Sequence, residues 1–297
     1  MYSKPQYTSF TVACGEAGTP LLPYIMKCLH GISRTKAKAL LTGNGVRVDG
    51  QITTQHDLTL QANQRVEISK RKPQAVLKNR FVRLVYEDNH LMVIEKRPGI
   101  LSMGTPHHSF CVKTVLDNYL QESHSKRTAH VVHRLDRDTS GLMVYAKSME
   151  AERIMEEHWH EIVSDRRYVA LVSGRLEKKN GSVESWLKEN KAFFTYSSHT
   201  PGDGKYALTH YRLLRADDSH SLVELRLETG RKNQIRVHMQ DLGHPVCGDE
   251  KYGGAEDNPC HRLCLHAYRL YFRHPITGEP MRFDTPIPQA FKDAITH

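Results

Sequence analysis

The stretch "VVHRLDRDTSG" (residues 131–141) places one carboxylate, Asp136, between two guanidinium groups, Arg134 and Arg137. A second acid, Asp138, follows two residues on, and Thr139-Ser140-Gly141 closes the segment. Guanidinium charge favours the ionised form of a nearby carboxylate, so Asp136 is expected to act as an anion, a nucleophile or base rather than a proton donor. Taken alone, the same pattern also fits a solvated loop with incidental Arg–Asp pairs. The run "LMVYAK" (142–147) that follows reads as a strand, so the acid belongs to a turn entering a sheet.

With 297 residues the chain has room for one large domain, or for one of typical size plus a smaller one. Net charge is +9 and the pI is near 9.2, a balance that favours a polyanionic partner. Residues 1–80 carry 12 Lys/Arg against 4 Asp/Glu, whereas residues 81–297 carry 30 against 29. The excess charge is therefore N-terminal, as if one module attracted an anion and another did the chemistry. Six dispersed cysteines give no disulfide framework. No apolar run is long enough to span a bilayer, and "MYSKPQYTSF" is no secretory signal, so a reduced, soluble, cytoplasmic protein is expected.

Residues 1–18 read as an ill-ordered lead-in. Leu21, Leu22, Ile25, Met26 and Leu29 recur at helical spacing, and Ser33 caps a second helix, Arg34 to Thr42, which Gly43 ends. "NG" (44–45) and "DG" (49–50) bracket the strand-like "VRV", and Val66 and Ile68 alternate in another. The segment 71–80 is a basic linker. Beyond it the strand-like runs 84–86, 91–96, 142–147, 168–174 and 221–230, with helices over 112–120 and 149–159, predict an α+β domain with a mainly antiparallel sheet.

Two further segments concentrate candidate chemistry. "ETGRKNQIRVHMQDLGHPVCGDEKYGG" (228–254) turns repeatedly at glycine and carries Arg231, Lys232 and Arg236, natural partners for a carboxylate or phosphate. "RRYVALVSG" (166–174) starts an apolar strand with Tyr168, a sheet residue or a nucleobase platform. Cys260, His261, Cys264 and His266 are loosely zinc-like in spacing, but no second cluster lies at the expected separation, so they read as packing and no metal is expected. Neither a phosphate-binding loop nor a dinucleotide fingerprint is present.

Together these segments resemble the RluA family of RNA pseudouridine synthases. "HRLDRDTSG" (133–141) resembles the family's catalytic motif. "VYEDNHLMVIEKRPGILS" (85–102), "RRYVALVSG", the 228–254 segment and "RLCLHAYRLYFRHPITGE" resemble four others, in the family's order. The resemblance implies isomerisation of uridine to pseudouridine in a base extruded from its stack, with no metal or organic cofactor. It implies that Asp136 is the catalytic carboxylate and that Arg134 fills the space left by the base. Arg231 would pair with Asp136, and Tyr168 would pack against the uracil. "GISRTKAKALLTGNGVRVDGQ" resembles an S4 RNA-binding domain whose anion-facing set would be Arg34, Lys36, Lys38 and Arg47. The implied organisation is a lead-in (1–18), an S4-like domain (19–70), a linker (71–80) and a catalytic domain (81–297). Structured RNA is the implied partner, ribosomal before transfer RNA, and a monomer is expected. Asn233 stands where many members have His; since both can donate a hydrogen bond, a supporting role is expected.

Two rival readings carry different chemistry. A glycoside hydrolase would use Asp136 and Asp138 as paired carboxylates, but it needs one of them protonated, which the arginines oppose. A silent RNA-binding assembly factor would keep the fold without turnover.

Overall fold

The computed structural model describes residues 7–42, 45–69, 77–106, 108–123, 127–253 and 256–295. The chain divides into two compact units, Met1–Lys78 with Asp117–Arg127, and Asn79–Leu116 with Thr128–His297. Among the described residues no helix is long and apolar enough to cross a membrane.

The first unit contains β1 (Tyr7–Thr11), α1 (Leu21–Cys28), α2 (Arg34–Thr42), β2 (Val46–Val48), β3 (Gln51–Ile52) and β4 (Arg65–Ser69). Its four strands form an antiparallel sheet in the order β1-β4-β2-β3. The helical spacing of Leu21, Leu22 and Ile25 buries these side chains with Leu40, Leu41, Val46, Val66 and Ile68. Ser33 Oγ accepts the Lys36 N–H at 3.3 Å, fixing the start of α2. The expected ill-ordered lead-in is a strand from Tyr7 onward. Tyr7 to Thr11 pair with Ser69 to Arg65, and Val12 is fully buried. That order comes from a partner more than fifty residues away in sequence, which local composition does not announce. Residues 1–6 of the lead-in, Gly43 and Asn44 of the expected helix end and turn, and 71–76 of the linker lie outside the described residues. Arg34, Lys36 and Lys38 are exposed on α2. Arg47, also of the expected anion-facing set, is half-buried on β2, with its guanidinium 4.7 Å from the Tyr7 ring centroid and its Nε buried.

The second unit is α+β, built on a mixed, mainly antiparallel sheet. Its elements begin with β5 (Val82–Glu87), β6 (Leu91–Lys96), α3 (Val112–Glu122), β7 (His130–Val131), β8 (Ser140–Ala146), α4 (Met149–Glu157) and α5 (Trp159–Ile162). They continue with β9 (Val163–Ser173), β10 (Asn180–Glu189), β11 (Thr195–Ser198), β12 (Lys205–Ala216), β13 (His220–Leu227) and α6 (Gln234–Asp241). They end with β14 (Leu265–Arg273), β15 (Pro280–Asp284) and α7 (Gln289–Asp293), and α3 runs across the division between the units. Strand order is β11-β10-β12-β13-β9-β14-β8-β6-β5, with β15 on β14 and β7 on β8.

Every residue of β8 is buried, as expected of a strand covered on both faces. Its apolar residues Leu142 and Val144 pack with Leu91, Val93, Met155, Leu270 and Phe272. The β14–β8 junction is parallel, pairing His266 with Ser140 and Ala267 with Gly141, while all other recorded ladders are antiparallel. At this junction a side chain is impossible at Gly141. Its φ is +119°, and a Cβ would lie 2.1 Å from Ala267 O.

Candidate active site

The sheet register sets the site. Ala267 pairs with Gly141 on one side and with Tyr168 on the other. Tyr168 therefore stands two strand spacings, about 10 Å, from the glycine that ends the Asp136 turn. The turn itself is pinned from beneath. Leu135 is buried, its N–H donates to Ser102 Oγ at 3.1 Å, and its carbonyl accepts from the same hydroxyl at 2.7 Å. Thr139 N donates to Asp136 O at 3.2 Å. Lys96, fully buried, donates to the carbonyls of Arg97, Ile100 and Arg137 at 3.1, 2.9 and 2.7 Å. Burial draws its pKa down to about 7, against the opposing pull of Asp138 and Asp136.

The opposite wall comes from the segment joining β13 to α6. Gln234 locks it with four hydrogen bonds. Its Oε1 accepts from Thr229 Oγ1 (2.8 Å) and Arg231 N (3.0 Å), and its Nε2 donates to Leu208 O and Thr209 Oγ1 (both 3.0 Å). Asn233 caps α6 with φ +56°, a left-handed conformation that asparagine tolerates. Its Nδ2 donates to Tyr252 Oη at 3.1 Å, and its Oδ1 accepts from Arg236 Nη1 at 3.1 Å.

Between these walls lies a cavity of about 310 Å³ lined by Arg134, Asp136, Trp159, Arg166, Tyr168, Arg231, Lys232 and Arg236, among others. All four expected site residues, Arg134, Asp136, Tyr168 and Arg231, face it together, but their pairing differs from expectation. Arg236, not Arg231, is the cation beside Asp136, with Nη1 3.6 Å from Oδ2. Arg236 is itself held by a bidentate pair to Asp249, both contacts 2.7 Å, and Asp249 is buried. Arg231 Nε instead donates to Tyr206 O at 2.9 Å, and no Arg231–Asp136 ion pair is found among the described residues. The reason is helix phase. Arg231 lies in the turn before α6, whereas Arg236 lies in its first turns and projects toward the Asp136 turn.

The arginines that flank Asp136 in sequence do not neutralise it either. Arg137 pairs with Asp138 at 3.3 Å, and Arg134 is exposed. Asp136 is the one carboxylate lining the cavity among the described residues, which leaves a two-carboxylate hydrolase without its second acid. Tyr168 is 6% exposed, and burial raises its hydroxyl pKa, with Arg166 opposing. His133 Nε2 accepts the Val144 N–H at 3.0 Å, and its ring lies 4.9 Å from that of Trp159. Burial, aided by Arg166, lowers its pKa to about 3, so it stays neutral. Cys260 and Cys264 of the zinc-like run lie side by side, but among the described residues the run forms no cluster of three ligand atoms. Cys260 Sγ donates to Ala290 O and Cys264 Sγ to Arg262 O, each at 3.4 Å, while His266 bridges Ser140 and Thr285.

A family model described as RNA pseudouridylate synthase matches residues 90–241, a span holding the Asp136 turn, Tyr168 and Arg236. A Bacillus subtilis protein described as an uncharacterized RNA pseudouridine synthase, YjbO, is 41% identical over 208 residues, covering 69% of this chain and 72% of its own. The chain belongs to the RluA family of RNA pseudouridine synthases. It is thus an isomerase acting on RNA. The synthase is also 34% identical over 305 residues to a Vibrio parahaemolyticus protein described as ribosomal large subunit pseudouridine synthase D, covering 94% of this chain and 90% of that one. A solved structure described as human RNA Pseudouridylate Synthase Domain Containing 1 shares its fold, with a TM-score of 0.57 at 27% identity, covering 71% of this chain and 85% of that one.

Sequence reasoning missed Arg236, Asp249 and Arg166 as site residues. Arg236 was visible as a cation in the right segment, but charge alone does not separate it from Arg231. Placing the start of α6 at Gln234 would have done so.

Proposed function

We propose that the synthase converts uridines of structured RNA, large-subunit ribosomal RNA foremost, to pseudouridine, with Asp136 as the catalytic carboxylate. The single observation that carries the residue assignment is the Arg236–Asp136 ion pair in a cavity that Tyr168 also lines. Arg236, fixed by Asp249, aims a carboxylate that has no acidic neighbour in the cavity. The reaction breaks the glycosidic C–N bond, rejoins C5 to the same sugar carbon, releases the C5 hydrogen as a proton and leaves N1 protonated. It is redox-neutral, so it calls for no oxidant or reductant. The uridine must leave its stack, at a cost of a few kcal/mol. Arg134, exposed and lining the cavity, takes the space vacated, and Tyr168 packs against the uracil. The ribosomal choice rests on relatives described as ribosomal large subunit pseudouridine synthase D that align along most of the chain. The first unit acts as an S4-like RNA-binding module through Arg34, Lys36 and Lys38.

The test is tritium release from RNA labelled at uracil C5, with ribosomal and transfer RNA as separate substrates. Release from ribosomal RNA by the intact protein and none by Asp136→Asn is expected. Release from transfer RNA alone would overturn the substrate, and full release by the variant would overturn the carboxylate.

A further inference from the structure

A second cavity, of about 430 Å³, shares the catalytic turn through Ser140 and is lined by Arg97, Pro98, Arg262, Gln289 and Lys292. Its charge is one-sided. Glu95, the carboxylate on its wall, is engaged by Arg83 Nε and Nη2 at 2.9 and 2.5 Å. Lys96 also borders it, but its ammonium is spent on three carbonyls. Arg262 is the unusual member. It is partly buried against the Phe291 ring, 5.4 Å from the centroid, yet makes no ion pair with a carboxylate among the described residues. Nε donates to Leu263 O (3.0 Å), and Nη2 donates to Ser140 Oγ (2.6 Å) and Leu265 O (3.3 Å). Among the described residues Nη1 makes no hydrogen bond. Burial pulls the pKa of this guanidinium below its usual value, with Cys264, Cys260 and Asp138 opposing.

We infer that this cavity seats a backbone phosphate of the substrate RNA, held by Arg262, Arg97 and Lys292. A guanidinium edge matches phosphate geometry, and two further cations beside it leave a net positive seat that no protein acid fills. The inference rests on RNA being the substrate. It adds a contact linked to the chemistry, because Arg262 Nη2 also grips Ser140, four residues after Asp136. A phosphate drawn to Arg262 therefore bears on the turn that carries the catalytic acid.

The test compares the intact protein with the double variant Arg97→Ala/Lys292→Ala, which spares the hydrogen bonds described above. Two readouts are taken: the salt dependence of RNA binding, and thermal melting with inorganic phosphate against chloride at matched ionic strength. The expected result is a fall of one to two in the slope of log affinity against log salt, roughly tenfold weaker binding near 0.1 M salt, and loss of any phosphate-specific rise in Tm. An unchanged slope with a lost phosphate effect would overturn the RNA assignment in favour of free phosphate. Neither change would overturn the site altogether. An intact protein that binds RNA but releases no tritium would sink the proposed function and leave this comparison readable.

Discussion

The two cavities that meet at the Asp136–Gly141 turn both have charged linings made mainly of cations, but they hold their buried arginine differently. In the first, the carboxylate Asp136 is matched by Arg236, which is matched in turn by buried Asp249. In the second, Arg262 is held by carbonyls and a hydroxyl but by no acid. The first is a closed set, Asp249–Arg236–Asp136, which would keep the proposed catalytic carboxylate aimed. The second leaves its arginine open to the anion proposed above. Rigidity and binding are thus divided between the two ends of a six-residue turn.

The comparison breaks hardest at Asp136. Asp136→Asn is expected to lower turnover at least a thousandfold while leaving the melting temperature nearly unchanged, checked by tritium release and calorimetry. Next is the contrast of Arg236 with Arg231. Arg236→Ala leaves Asp249 buried and uncompensated, so a stability loss of about 3–5 kcal/mol is expected with turnover collapsing. Arg231→Ala should shift stability by less than about 0.5 kcal/mol. Equal effects in urea denaturation would mean that helix phase does not select the partner of Asp136. Gly141→Ala tests the shared turn. A Cβ placed 2.1 Å from Ala267 O must displace β14 or the turn, so a loss of roughly 3 kcal/mol or more is expected.

Titration of the buried imidazoles spreads its effect over several side chains. Burial lowers His238 and His266 to about 4 in the folded state, against 6.5 when unfolded. As pH falls from 6.5 toward 4, the unfolded chain binds protons that the folded one refuses, so stability is full above pH 6.5 and is lost toward pH 4. At pH 5 the loss is about 2 kcal/mol for each imidazole. Denaturation at pH 7 and pH 5 measures it, and His266→Gln should reduce the loss by about 2 kcal/mol, with His238 and His133 still contributing.

The fold class was legible because β8 and β13 carry clear apolar patterns and α1 and α3 have helical spacing. What escaped was the region from β10 to β12. Their inward positions facing α6 include Ser185, Ala207 and Thr209, all fully buried. Ser185 and Thr209 hydrogen-bond the two nitrogens of His238, so this interface is partly polar and leaves a weak alternation in the sequence. The site followed the same rule. Residues inside a compact motif, Asp136 above all, could be picked out one by one. Pairings between motifs could not, because they depend on where a helix starts and which strands become neighbours. No local pattern showed that β14 lies between β9 and β8.

That insertion has a consequence for how the protein is made. Without β14 the large sheet is two separate ladders, β11-β10-β12-β13-β9 and β8-β6-β5. Tyr168 and Arg236 belong to the first and the Asp136 turn to the second. A chain emerging from a ribosome therefore carries two half-sites until residues 265–273 have left the exit tunnel. Joining them closes a parallel contact across more than a hundred residues, a slow kind of step. If the proposed site is right, a nascent chain stalled before Leu265 is expected to release no tritium, because its two half-sites lack the strand that joins them.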